Sequence, residues 1–178
     1  CAQLAAGCND VNCSSSSKSS ISAEFLEGHL AMTYSAIAVL YTLGESLDEL
    51  PKAAIIRQLT RLQNDDGGFG ATENGSERDL RFLYCACSIS SFLEDWSGVD
   101  VDRAAGYVTR CFSYDGGLAL TPGGLEGQGG ACYCGIASLS FMGKLDVLQV
   151  SGKLPRLNLW LAQRVQSAGG YNGRVNKV

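Results

Sequence analysis

Three short stretches decide how this sequence folds: LQNDDGGFG at Leu62–Gly70, FSYDGGLAL at Phe112–Leu120 and QSAGGYNG at Gln166–Gly173. Each carries a Gly-Gly pair, and the pairs open at Gly67, Gly116 and Gly169, 49 and 53 residues apart. A self-similar period of about fifty residues marks a repeat architecture, in which one supersecondary unit stacks on copies of itself. A Gly pair after a helical pattern lets the backbone leave the helix through positive φ, where a side chain would clash.

Outward from these turns, each unit holds two helices of unlike character. His29–Leu43, Asp79–Leu93 and Gly130–Met142 are apolar nearly all round, as in RFLYCACSISSFL and ACYCGIASLSFM. Lys52–Gln63, Val101–Phe112 and Lys153–Gln166 are amphipathic; in the first, Ile55, Ile56, Leu59 and Leu62 make one stripe. A helix apolar on all sides must be covered on all sides, whereas an amphipathic one has a wet face. The alternation predicts an all-α fold of two layers, apolar helices inside and amphipathic ones outside, in an α/α arc. The inner helices then keep a second apolar face toward the middle of the arc. Two readings of that face stand: a greasy concavity suited to an apolar ligand, or a plain helical repeat with a filled core.

The bulk properties bound the function. With 178 residues, 46% of them hydrophobic, the chain suffices for one domain with a real core. Nothing in a net charge of −4 suggests nucleic acid or an anionic membrane as the main partner, so any anion site is expected to be local. Residues 1–24, with CSSSSKSSIS, read as a low-complexity flexible segment, and the repeat domain as 25–178. Cys85/Cys87 and Cys132/Cys134, four of eight cysteines, lie in apolar helical runs as small buried hydrophobes; their i, i+2 spacing makes no chelate. No signal peptide and no membrane-spanning run is evident, so a cytoplasmic protein with reduced thiols is expected.

The inner helices begin with polar residues: Glu77, Arg78, Asp79 and Arg81 in the second, Glu126 and Gln128 in the third. Those ends share one rim, and helix N-termini favour anions. Arg174 and Lys177 follow the third outer helix and are expected to return to the same rim, against the plainer reading of surface charges in a loop. An apolar hollow with a cationic lip fits an amphiphile, a long hydrocarbon with a phosphate-type head.

The residues then become specific. GHLAMTY, ERDLRFLYCACSI, DWSGVD, SYDGGLA, GLEGQGGACYCGIASLSFMGKL and GYNGRVNK, in that order over residues 28–178, resemble the protein prenyltransferase beta-subunit family. DWSG favours its type I geranylgeranyl branch over the farnesyl and Rab geranylgeranyl branches. The resemblance implies an α/α toroid, with about half of the ring present. It implies transfer of a geranylgeranyl group from its diphosphate to the Cys thiol of proteins ending in CaaX, such as small GTPases. It implies an alpha subunit as partner, and a Zn²⁺ ion holding the substrate thiolate, with Mg²⁺ as a candidate second ion. By matching position, Arg174, Lys177 and Gln128 are diphosphate-binding, Gln128 standing where the family has a His. Arg81, Tyr84 and Cys134 line the lipid tunnel, and His29, Ala31 and Phe82 form the pocket for the last CaaX residue. The family's zinc ligands are an Asp, a Cys and a later His, expected beyond Val178. The chain is therefore expected to be a fragment with no metal site and no catalytic residue of its own, inactive alone and marginally stable where its last repeat is uncapped.

Two other functions compete. One is a helical-repeat binding scaffold without chemistry, favoured by Gln128 and the missing zinc ligands. The other is a terpene cyclase of related shape, which would need an acidic protonation motif. The Asp65-Asp66 pair sits beside a turn and is better read as turn chemistry.

Overall fold

The computed structural model describes residues 28–75, 77–175 and 177. The expected low-complexity segment 1–24, its boundary at Phe25, and Cys1, Cys8 and Cys13 lie outside the described residues. Among the described residues, seven helices follow in chain order: α1 Leu30–Thr42, α2 Lys52–Leu62, α3 Leu80–Leu93, α4 Val101–Arg110, α5 Gly129–Phe141, α6 Asp146–Val150 and α7 Leu154–Ala162. Helices α1, α3 and α5 lie side by side with α3 between the other two; α2 packs on α3, and α4 on α5. The amphipathic helices are thus the outer layer of an α/α arc, as their wet faces require. In α4, for example, Ala104, Ala105, Tyr107 and Val108 are buried while Asp102, Arg103 and Arg110 meet solvent.

The Gly pairs work as expected. Gly67, Gly116 and Gly169 have φ of +87°, +100° and +93°. Each turn is closed by a pair of backbone bonds: Asn64 N to Gly68 O and Gly70 N to Leu62 O in the first, with the same pattern in the other two. The second glycine serves a different need in the first two repeats. A Cβ on Gly68 would meet the Tyr107 ring at 2.5 Å, and one on Gly117 the Trp160 indole at 2.6 Å. The next outer helix leans an aromatic ring on the turn before it.

Each turn is also tied to the inner helix of its own repeat. The first amide of α1 (Leu30) donates to Ala71 O, that of α3 (Leu80) to Leu120 O and that of α5 (Gly129) to Gly173 O, each at 2.9 Å. These amides have no acceptor within their own helix. One repeated hydrogen bond therefore brings the three inner N-termini and the three turns to a common rim.

Two expectations need correction. The amphipathic span Lys153–Gln166 is helical only over Leu154–Ala162, which is α7; the short α6 lies before that span. Gly152, at φ +66°, separates the two, and Pro155 pre-sets the first turn of α7. Beyond α7, Val165 is already paired with Tyr171 in the third turn. Complete covering of the apolar helices also holds only for α3, which buries ten of its 14 residues. Helix α1 buries only Leu30 and Ile37 and leaves Met32, Val39 and Tyr41 exposed. Having neighbours on both sides is what covers an inner helix, and among the described inner helices α3 alone has them.

Candidate anion and lipid site

The N-cap positions of the inner helices are His29, Asp79 and Gln128. His29 Nδ1 accepts from Ala31 N at 3.3 Å, and Asp79 Oδ1 from Arg81 N at 2.9 Å, the ordinary work of an N-cap. Gln128 makes no capping bond; its Oε1 accepts from Arg174 Nη2 at 3.3 Å instead. The cause lies one residue before Arg174, where Gly173 O takes the Gly129 amide and brings the third turn onto the α5 N-terminus. An exposed guanidinium and a helix N-terminus therefore stand together, both favouring negative charge. With Oε1 engaged by Arg174, the Gln128 amide is oriented to present its NH₂ as a donor.

Lys177 is placed differently. It lines a cleft of about 480 Å³ on the third turn with Gln166, Tyr171 and Asn172. Its backbone amide reaches Arg174 O at 3.4 Å. The structure thus joins Arg174 to Gln128, and links Lys177 to Arg174 through the backbone.

Below the rim, the inner helices carry an aromatic face. Tyr34 of α1, Tyr84 of α3 and Tyr133 of α5 line up, ring centroids 5.6 and 5.4 Å apart, and Phe141 approaches Tyr84 at 6.2 Å. Their hydroxyls form a chain, Tyr34 to Tyr84 at 3.4 Å and Tyr84 to Tyr133 at 3.3 Å. Burial raises the Tyr84 phenol above its ordinary pKa, keeping it a neutral donor. Tyr41 and Phe92 continue the face one helical step on, at 4.8 Å. Of the expected lipid-lining residues, Tyr84 belongs to this face; Cys134 is half-buried and packs against the core, and Arg81, at the start of α3, is exposed. Asp79 grips the Arg81 guanidinium with contacts of 2.6–3.1 Å, and that bond, above all other causes, holds Arg81 firmly charged.

His29, Ala31 and Phe82 also come together. The His29 ring meets Phe82 edge-on at 5.9 Å, and His29 and Ala31 line a cavity of about 350 Å³ with Met32 and Ser35. The sequence reading missed Tyr34, Tyr133 and Phe141. A signal existed, since Tyr34/Tyr41, Tyr84/Phe92 and Tyr133/Phe141 recur at seven- or eight-residue steps, one face of each inner helix.

Among the described residues, no three His, Cys, Asp or Glu side chains converge as a metal-holding group. The five described cysteines are free thiols. Burial is the first cause that pushes Cys85 and Cys132 up to about 11 and Cys87 and Cys111 to about 12, away from thiolate chemistry. Among the described residues, no helix is long and apolar enough to cross a membrane.

Comparison with known proteins agrees with this geometry. Residues 8–178 match the family described as the prenyltransferase alpha-alpha toroid domain. The geranylgeranyl transferase type-1 subunit beta of Arabidopsis thaliana is 44% identical over 84% of this chain, which covers 41% of that protein. The Dictyostelium discoideum protein of the same name is 39% identical over 82% of the chain, covering 40% of its own length. Among solved structures, Candida albicans protein geranylgeranyltransferase-I complexed with GGPP superposes with a TM-score of 0.71 at 25% identity, over 84% of this chain and 48% of that one. The chain spans about two fifths of the length of the curated relatives it matches.

Proposed function

Because this chain belongs to the prenyltransferase alpha-alpha toroid family, we propose that it is part of the beta subunit of a type I protein geranylgeranyltransferase and holds the diphosphate of the lipid substrate at its rim. The Arg174–Gln128 pair at the N-terminus of α5, standing over an aromatic face, is the observation that carries this reading. Arg174 and Lys177 neutralise the diphosphate, and the Gln128 amide donates to it. The same donors offset the charge that grows on the leaving group as the C–O bond breaks. The hydrocarbon lies against Tyr84, Cys134 and Arg81. The cavity lined by His29 and Ala31, with Phe82 packed edge-on against His29, takes the last side chain of a CaaX substrate, such as a small GTPase.

The remaining roles are supplied by an alpha subunit, in the cytoplasm, and by the zinc ion of the family. The described residues do not fit a zinc site, so the roles assigned here are confined to binding, orienting and charge neutralisation.

Equilibrium binding of geranylgeranyl diphosphate to the purified chain tests the reading, with geranylgeraniol as the uncharged control. Arg174→Ala is expected to weaken the diphosphate about 10- to 100-fold, the value of one charge-assisted hydrogen bond, and to leave the alcohol unchanged. Equal effects on both ligands, or none on the diphosphate, would overturn it.

A further inference from the structure

The three turns share a backbone but not a side chain at the residue before the Gly pair: Asp66, Asp115 and Ala168. The Asp66 carboxylate is exposed and accepts from the Gly68 amide of its own turn, at 3.0 Å, while the long-range bond from Arg110 goes to the Asp66 backbone carbonyl. Ala168 has no polar side chain, yet its turn closes with the same backbone bonds, Gln166 N to Gly170 O and Asn172 N to Arg164 O. A carboxylate is therefore not needed to form the turn.

Asp115 does far more than its counterparts. Its Oδ1 accepts from the Gly117 amide at 3.1 Å and from the Ser113 hydroxyl. Its Oδ2 accepts from the Gly127 amide at 3.1 Å and from Trp160 Nε1 at 3.1 Å. The two Oδ2 partners lie on different arms of the molecule. Gly127 precedes Gln128, while Trp160, buried in α7, lies on the segment that runs through the third turn to Arg174. The junction has no slack, because a Cβ on Gly127 would lie 2.7 Å from the Gly117 Cα and 2.9 Å from Trp160 Nε1. Burial alone would raise the Asp115 carboxyl, but its four donors outweigh burial and hold it below the ordinary range.

We infer that Asp115 is the positioning residue of the anion site, fixing the Gln128 arm and the Arg174 arm to one carboxylate so that both meet at the rim. This rests on the reading of Gln128 and Arg174 as the diphosphate site. Asp115 touches neither of them and acts only through Gly127 and Trp160. Asp66, at the same place in the first repeat, makes neither long-range bond and serves as the internal control.

The test is binding of inorganic pyrophosphate to the full chain by calorimetry at fixed ionic strength, together with ¹⁵N amide spectra. Asp115→Asn is expected to weaken pyrophosphate about tenfold, as a small misplacement of binding groups does. Trp160→Phe, which keeps a ring but removes the indole donor, is expected to cost about threefold by the same loss of alignment. Asp66→Asn is expected to leave affinity within about twofold, since no binding group moves. If Asp115→Asn and Asp66→Asn weaken binding equally, or neither does, the positioning role is overturned. If the unaltered chain binds no pyrophosphate, the anion-site reading falls, and the spectra decide the positioning claim separately. Displaced Gln128 and Gly173 amide signals in Asp115→Asn but not in Asp66→Asn uphold it; unmoved signals overturn it. Should Asp115→Asn fail to fold, Trp160→Phe carries the same comparison.

Discussion

Helices α1 and α3 have nearly the same composition and opposite fates. Both are apolar almost all round, yet α3 buries ten residues and α1 only two. The difference is position in the stack: among the described helices, α3 has an inner helix on each side, and α1 has one on one side only. In a repeat fold, burial belongs to the interface between neighbours as much as to the sequence of either one.

The largest expected effect tests that contrast directly. Leu83→Ala, at a fully buried position of α3, is expected to cost about 3–5 kcal/mol by urea melting, the transfer and cavity terms together. Met32→Ala, 73% exposed on α1, should change stability by less than about 0.5 kcal/mol. Similar losses at the two sites would mean that α1 is covered in solution.

The turns allow a second contrast. Gly67 and Gly169 have nearly the same φ, but a Cβ at Gly67 would meet Arg103 O at 2.1 Å, and at Gly169 it would meet nothing within 4 Å. Gly169→Ala is expected to cost about 1–2 kcal/mol for the left-handed backbone alone. Gly67→Ala should cost about 2–4 kcal/mol, with overpacking added. Equal melting temperatures would break the distinction between a packed turn and an open one.

A smaller effect concerns pH. The Asp115 carboxyl is held below the ordinary range in the fold, so its contribution is fully present above about pH 4, the unfolded value. It is lost as pH falls through the lower folded value. The stability gap between the unaltered chain and Asp115→Asn should therefore be constant from pH 7 to about pH 5 and close below about pH 4. A gap that persists in acid would show that the loss is not electrostatic.

The smallest effect is a rate. Cys134 is half-buried, whereas Cys87 and Cys111 are enclosed in the core. With a thiol reagent at pH 8, Cys134 should react first among the described cysteines, and geranylgeranyl diphosphate should slow it. Cys87 reacting as fast would contradict the packing of α3.

Much of this was legible beforehand. The Gly pairs marked the turns, their spacing marked the repeat, and the two helix characters assigned inner and outer layers. The Asp65-Asp66 stretch proved to be turn chemistry, with Asp66 capping Gly68. The candidate site was partly legible: the expected meeting of Arg174 with the rim is seen in its bond to Gln128. What could not be read depends on several segments at once. The tyrosine hydroxyl chain needs three helices in register. Asp115 looks like any turn aspartate until Trp160, 45 residues later, arrives beside it. The end of α7 at Ala162 was hidden because the amphipathic pattern runs on to Gln166.

The bond from each inner helix's first amide to its own Gly turn has a consequence for how such a chain tolerates change. It staples every repeat shut at the mouth. The inner-to-outer connectors carry no such repeated bond, and they differ: two carry no helix, while the third holds all of α6. Variation in length thus falls in the connectors rather than at the lip, although the second connector is itself fastened to the end of α2 where Gln63 pairs with the Asp100 backbone.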